Sequence, residues 1–258
     1  LSDQYTTAGQ MQDTWKYTTN TGKWDFIAGY TGTTASNIVP HFKTDTDPDI
    51  AVYNYYSATR DPGPHPGARS DAATWIDNSG RLWLFGGIGI GNGANAPGHL
   101  DNIWVFDPVI MNWYFVAGAS VTREFAPGAL NIVPVIPGTI PGLGYPGAST
   151  GVVAVNDPVT NIAYLFGGNY YTFRRWNGLW SINMNDLTNP TSSPLQLTYI
   201  KGTSDGSARY GAAGVEDPSF VPGGRSQMTM WLDPPSRCIY LFGGIGLDSL
   251  GTYGQLND

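Results

Sequence analysis

Three copies of one short phrase constrain this 258-residue chain more than any other feature. Leu82–Gly87 reads LWLFGG, Ile162–Gly168 reads IAYLFGG and Ile239–Gly244 reads IYLFGG. The glycine pairs begin at Gly86, Gly167 and Gly243, spaced 81 and 76 residues apart. Other phrases recur around them in fixed order. Upstream, PGARS ends at Ser70, PGAST at Thr150 and PGGRS at Ser226; downstream come DTWKY around Trp15, NIWVF around Trp104 and GLWSI around Trp180. A last phrase closes each unit: KWDFIAG ends at Gly29, NWYFVAG at Gly118 and LTYIKG at Gly202. Self-similarity at a near-constant period means one supersecondary unit stacked on copies of itself.

Each unit holds four short apolar runs, rich in aromatic and β-branched residues, between turn-forming stretches, the pattern of β-strands. The first two runs are joined by DNSG after Ile76, NDP after Val155 and DPPS after Leu232, residues that build hairpins, so neighbouring strands are expected to be antiparallel. Composition agrees: 34 glycines, 19 prolines and only two glutamates leave little for long helices, while nine tryptophans and fifteen tyrosines favour strands. In the second run Trp83, Tyr164 and Tyr240 share one phase and Leu84, Leu165 and Leu241 the other. A strand apolar on both faces must be covered on both sides, which sheets stacked face to face around an axis achieve.

A glycine doublet after an aromatic-rich strand, then a tryptophan near the unit's end, resembles the kelch repeat. The resemblance covers nearly the whole chain and implies an all-β fold of kelch-type β-propeller blades, each a four-stranded antiparallel sheet. About three blade-equivalents are expected, beginning and ending mid-blade. Residues 1–30 supply strands three and four of a first blade, 66–118 a second blade and 146–202 a third. Residues 223–258 supply strands one and two of a fourth, and 31–65 and 119–145 are long inter-blade loops. The resemblance gives structural roles to Gly86, Gly87, Gly167, Gly168, Gly243 and Gly244, which let the backbone take positive φ or approach a neighbour closely. It places Trp15, Trp24, Trp104, Trp113 and Trp180 between blades. Two departures stand out: Leu197 replaces the tryptophan found at Trp24 and Trp113, and Ser149 replaces the arginine found at Arg69 and Arg225.

The chain starts with GQMQD (Gly9 to Asp13) and ends with GQLND (Gly254 to Asp258), the same point of the repeat. Closed propellers have at least about four blades, so three blade-equivalents are expected to need partners. These are other blades from the same longer chain, a second copy sharing blades in a six-bladed ring, or β-sheet partners stacked against an open arc. A chain that opens at Leu1 is expected to be a mature product or an excerpt. The net charge of −7 argues against nucleic acid, and no apolar run is long enough for a membrane span. Cys238 is the only cysteine, excluding an intrachain disulfide; it stands where Arg81 and Ile162 stand in the other units, which points to a buried apolar thiol. Low charge with much Thr, Asn, Gly and Trp leans toward an extracellular or cell-surface setting.

Strand parity separates the loops. Asp77 to Gly80 and Asp107 to Met111 are tight turns on one rim, while Thr31 to Pro66, Ile88 to Asp101, Ala119 to Tyr145 and Ile245 to Leu256 elaborate the other. Elaborated loops on a rigid scaffold are where recognition sits. In a kelch-like fold the starts of the first strands line the central channel at that rim. Arg69, Ser70, Asp71, Ser149, Arg225 and Ser226 are therefore candidate mouth residues, with hydrogen bonding between blades as their architectural alternative. YNYY, including Tyr55 and Tyr56, and NYYTFRR, including Tyr170, Tyr171, Arg174 and Arg175, offer flat rings, amides and guanidinium forks for a protein or glycan ligand. Asp45, Asp47 and Asp49 alternate as in calcium loops, yet Pro48 intervenes and position twelve is Tyr56. His41, His65 and His99 lack zinc spacing. No acid–base pair is evident, so no cofactor and no catalytic residue is expected. The alternatives are a carbohydrate-active enzyme of the galactose oxidase type, with copper and an active site outside this segment, and a structural subunit of an extracellular assembly.

Overall fold

The computed structural model describes residues 13–28, 65–89, 98–118, 146–170, 174–186, 195, 197–203 and 206–258. The first unit contributes a two-stranded antiparallel sheet, β1 (Thr14–Thr18) with β2 (Lys23–Ala28). The second contains β3 (Arg69–Ser70), β4 (Ala73–Ile76), β5 (Leu82–Phe85), β6 (Ile88–Gly89), β7 (Gly98–His99), β8 (Ile103–Asp107) and β9 (Asn112–Ala117). The third contains β10 (Val153–Asp157), β11 (Ile162–Phe166), β12 (Asn169–Tyr170), β13 (Arg174–Arg175), β14 (Leu179–Asn183) and β15 (Leu197–Lys201). The fourth contains β16 (Arg225–Ser226), β17 (Thr229–Asp233), β18 (Cys238–Phe242), β19 (Ile245–Leu247) and β20 (Tyr253–Gln255). A single 3-10 turn, Met184–Asp186, follows β14.

Two complete sheets, β4-β5-β8-β9 and β10-β11-β14-β15, stand between the half-sheets β1-β2 and β17-β18, and every strand pair is antiparallel. The first strands β4, β10 and β17 pack against one another in succession. This all-β arrangement is that of a partial β-propeller. The hairpins β4-β5, β10-β11 and β17-β18 all turn through a final residue at positive φ, respectively Gly80, Asn161 and Arg237. An aspartate at the head of each hairpin (Asp77, Asp157, Asp233) accepts hydrogen bonds from the turn's own backbone N–H groups, the local device that lets Asp nucleate such turns.

The core lies between the sheets. Trp75, Trp83, Phe85, Ile103 and Val105 of the second unit meet Ala163, Leu165, Trp180, Ile182 and Met184 of the third. The indole of Trp75 donates to Met184 Sδ at 3.0 Å across this interface. On the opposite face of the second sheet, Trp104, Phe106 and Trp113 pack with Ile27 of β2, and Trp113 Nε1 donates to Thr14 Oγ1 at 3.1 Å. The two phases of an apolar strand are thus buried by different neighbours. Trp104, Trp113 and Trp180 sit in these layers, whereas Trp15 and Trp24 are exposed, on a side of the first half-sheet that no other sheet covers among the described residues. Cys238 is a correction: its thiol is exposed, not buried, because β18 is an edge strand with no sheet packed beyond it among the described residues.

The glycine doublets carry the close approaches. Gly86, Gly87, Gly167, Gly168, Gly243 and Gly244 all have positive φ. The N–H of Gly87 donates to Ser149 O and that of Gly168 to Arg225 O, both at 2.8 Å and both in the next unit. A Cβ on Gly86 would lie 2.6 Å from Ser149 O, and one on Gly167 would lie 2.5 Å from Arg225 O; on Gly243 the nearest atom would be 3.5 Å away. Gly167 and Gly243 share nearly the same φ, 73° and 70°, so backbone strain on substitution is common to both and only the clash differs. Gly167→Ala is expected to cost about 3 kcal/mol or more, against about 1–2 kcal/mol for Gly243→Ala. Urea midpoints of the two variants in dilute protein check this, and equal losses would show that the neighbouring unit does not press on the doublet.

A second kink was hidden in the sequence. Asp71, Gly151 and Gln227 occupy equivalent places after β3, after Thr150 and after β16, and have φ of 54°, 65° and 58°. The N–H of Gly151 donates to Asp71 O and the N–H of Gln227 donates to Gly151 O, each at 3.0 Å. A backbone relay therefore runs from unit to unit beside the first strands. Beyond these kinks the strands continue as small sheets, β3-β6-β7 and β16-β19-β20. In the third unit β12-β13 does the same, bridged to Thr150 through Asn169.

Candidate functional site

The rim opposite the tight turns is built from these strand extensions, and it holds most of the described ionisable groups that pair away from the turns. Arg225 is 1% exposed. Its Nε donates to Gly223 O (3.0 Å), Nη1 to Gly243 O (3.2 Å) and Asp258 Oδ1 (2.8 Å), and Nη2 to Asp258 Oδ2 (2.9 Å) and the Tyr210 hydroxyl (2.8 Å). Arg69 repeats this in the second unit: Nε to Gly67 O (3.1 Å), Nη1 to Gly86 O (2.9 Å) and Nη1 to Asn102 Oδ1 (2.7 Å). Each arginine thus ties the start of its first strand to the glycine doublet and to the residue that opens the third strand. In the third unit Ser149 takes the arginine's place, its hydroxyl donating to Gly147 O at 3.0 Å, and Gly178 stands where Asn102 and Asp258 stand. Arginine and its polar partner are present together or absent together.

Electrostatics separate the two arginines. Burial pushes the Arg69 guanidinium down to about 9, because an amide rather than a carboxylate faces it, and its Nη2 is buried with no hydrogen-bond partner among the described residues. Burial pulls Arg225 the same way, but the hydrogen-bonded Asp258 carboxylate and Tyr210 outweigh it and its pKa is raised. Asp258 in turn is held below the usual carboxylate range, first by the Arg225 hydrogen bond. Tyr210 is pushed up, chiefly by burial and by its hydrogen bond to Asp258.

Between units the same rim carries side-chain contacts. The His99 ring packs against Tyr170 with centroids 5.1 Å apart, and burial lowers the His99 pKa, keeping the imidazole neutral at pH 7. Arg175, 8% exposed, donates through Nη1 to Asn169 Oδ1 and through Nη2 to the Tyr253 hydroxyl at 2.8 Å. Its guanidinium also lies over the Tyr253 ring, 5.2 Å from the centroid. Asn177 is fully buried and knits the linker that follows β15: its amide donates to Ser207 O and Pro222 O, and its carbonyl accepts from the Thr203 N–H.

Arg69, Arg225 and Arg175 are thus engaged within the fold rather than presented to solvent. Asp71 is exposed at the kink, where Ser70 Oγ donates to its Oδ2 at 3.3 Å, and Tyr170 is half-buried against His99. Tyr55, Tyr56, Tyr171 and the side chain of Arg174 lie outside the described residues, as do His41 and Asp45, Asp47 and Asp49. Sequence reasoning missed Asn102, Asp258, Tyr210 and Tyr253. The signal for the first two was present, since Asn102, Gly178 and Asp258 align and vary in step with Arg69, Ser149 and Arg225.

The opposite rim is closed by short contacts between turns. Arg237 Nη2 meets Asp157 Oδ2 at 2.6 Å across two units. Burial would raise the Asp157 pKa, but the Thr160 hydroxyl, the Val159 N–H and Arg237 together lower it. Asn78 Nδ2 donates to Pro158 O at 2.7 Å and Asn156 Nδ2 to Ile76 O at 3.0 Å. Among the described residues no three His, Cys, Asp or Glu side chains are grouped so as to hold a metal ion, and no helix is long and apolar enough to cross a membrane. No protein-family model matches the chain, and no curated protein matches its sequence.

Proposed function

We propose that the chain is part of a kelch-type propeller and acts as a non-catalytic extracellular binding or assembly module, recognising protein or glycan through its elaborated rim. The kelch reading is supported by doublets at positive φ that receive the next unit's backbone, at the same point of each repeat. The observation that carries the binding role is the asymmetry of the two rims. One carries turns of four and five residues, apart from residues 184–196 between β14 and β15, and its first-hairpin turns are tied to each other. The other extends its strands beyond the doublets and sets Tyr170 and Tyr253, the latter 55% exposed, on buried supports. Rigidly supported tyrosines give contact area at low conformational cost.

A fluorescently labelled sample of the protein, applied to an array of neutral and acidic glycans and to a panel of cell-surface proteins, is expected to bind saturably. Tyr170→Ala combined with Tyr253→Ala is expected to weaken that binding at least tenfold. Binding that the double variant leaves intact, or stoichiometric copper in the purified native protein, would overturn the reading.

A further inference from the structure

In the second and fourth units the same pair of main-chain carbonyls holds a guanidinium at the elaborated rim. Arg69 donates through Nε to Gly67 O at 3.1 Å and through Nη1 to Gly86 O at 2.9 Å. Arg225 donates through Nε to Gly223 O at 3.0 Å and through Nη1 to Gly243 O at 3.2 Å. The third unit has the equivalent acceptors, Gly147 O and Gly167 O, but Ser149 stands in place of the arginine. Its hydroxyl reaches Gly147 O at 3.0 Å, and among the described residues nothing donates to Gly167 O.

Exposure follows the same division. Gly67, Gly86, Gly223 and Gly243 are buried, whereas Gly147 and Gly167 are partly exposed. The residue that opens the third strand changes in step. Asn102 accepts from Arg69 and is fully buried, and Asp258 grips Arg225, but Gly178 is partly exposed. A Cβ on Gly178 would lie 2.8 Å from Trp180 Nε1, so no side chain fills the gap there without moving a buried indole. The doublet itself keeps its form, with φ of 73° at Gly167 against 68° at Gly86 and 70° at Gly243. The third unit thus retains the carbonyl pair, lacks both the arginine and its partner, and forms a notch whose glycines meet solvent.

We infer that this notch binds the guanidinium of an arginine side chain presented by a partner protein, with Gly147 O and Gly167 O as its acceptors. The three nitrogens of a guanidinium are interchangeable by rotation in its plane. An arginine entering over Gly178 therefore sets its two Nη groups where the internal arginines set Nε and Nη1. Its stem leaves where Asp258 and Tyr210 stand in the fourth unit. Carbonyls placed to engage two nitrogens of one planar fork suit arginine and not the compact ammonium of lysine. The surroundings favour a cation: the chain carries a net charge of −7. The adjoining unit also sets the exposed Asp71 close by, its main-chain oxygen 3.0 Å from Gly151 N. Exposure of the third unit's glycines and guanidinium binding by the equivalent carbonyls in both sister units are independent, and both point to one ligand group. The inference deepens the proposed function by naming the group that a protein ligand brings to this rim, and rests on that reading.

The test is an NMR titration of the 258-residue chain, isotope-labelled at glycine, with N-acetyl-arginine N-methylamide as the probe. The amide signals of Gly147, Gly167 and Gly178 are expected to move saturably, with a dissociation constant on the order of millimolar for so small a ligand. The citrulline analogue, equal in shape but uncharged, and the lysine analogue are each expected to bind at least tenfold more weakly. Ser149→Arg supplies the guanidinium from within and is expected to weaken probe binding at least tenfold. No saturable shift at these glycines, equal binding of the arginine and citrulline analogues, or full binding by folded Ser149→Arg would overturn the inference. The first two outcomes need only the unsubstituted chain. A preference for free L-arginine over the capped probe would overturn a protein as the source. Glycan and protein array binding that persists while the probe fails sinks the notch alone, whereas probe binding without any array binding sinks the rim reading alone.

Discussion

Trp83→Ala is expected to lose about 3–5 kcal/mol of stability, the range for truncating a large buried aromatic, read as a lowered urea midpoint. Trp83 is 1% exposed, stacks on Trp75 and donates its indole N–H to Asp77 Oδ2 at 3.0 Å. Asp77 keeps its ion pair to Arg81 at 2.7 Å, so the loss comes mainly from packing between two sheets. Tyr240 provides the internal control. It occupies the same repeat position and stacks on Trp231 in nearly the same geometry, but among the described residues no sheet covers it and it is exposed. In dilute protein Tyr240→Ala is expected to cost about 1 kcal/mol or less. Equal losses at the two positions would mean that the stacked pair, rather than its burial between sheets, carries the stability.

Arg225→Ala is expected to be the costliest single change at the elaborated rim, at about 2–4 kcal/mol. Removing one partner of a buried pair costs roughly 3–5 kcal/mol, and the figure is reduced here because Asp258 is 38% exposed. The substitution also leaves the carbonyls of Gly223 and Gly243 without their guanidinium donors. The pH dependence has a definite sign. Asp258 is held below the usual carboxylate range by Arg225, so its stabilising effect is complete above the unfolded carboxyl pKa and disappears as pH falls through the lower folded value. The gap between wild type and Arg225→Ala is therefore expected to narrow in acid. Arg69→Ala is expected to show no such narrowing, since Asn102 stands where the carboxylate would be. Urea midpoints of the three proteins at neutral pH and below the carboxylate range decide it, and a constant gap for Arg225→Ala would show that the ion pair does not contribute.

Much of this fold was legible because it is written three times. Alternation of two apolar phases in LWLF and its copies demanded cover on both faces, and the sheets supply it. The tight and elaborated rims followed from strand parity. The site was less legible because a repeat marks what every unit shares, and function-bearing residues differ between units. Arg69 and Arg225 read as mouth residues because arginine is seldom buried. Their partners lie 33 residues away, across a loop whose length carries no pattern. Asp71 read as a ligand group because a carboxylate draws attention, whereas its backbone angle does the work, a role visible only from Gly151 in the equivalent place. Cys238 read as buried because its counterpart Ile162 belongs to a complete sheet; burial in a stacked array depends on neighbours that a local alignment does not contain.

The relay through Asp71, Gly151 and Gln227 uses main-chain atoms only. The three side chains at these kinks, a carboxylate, a hydrogen and an amide, share one backbone geometry without sharing any chemistry. Such positions are free to drift: an acidic, neutral or amide lining can be exchanged there by substitution while the scaffold's connections persist. That separation leaves the side chains beside the first strands open to change while the main-chain links between units stay in place.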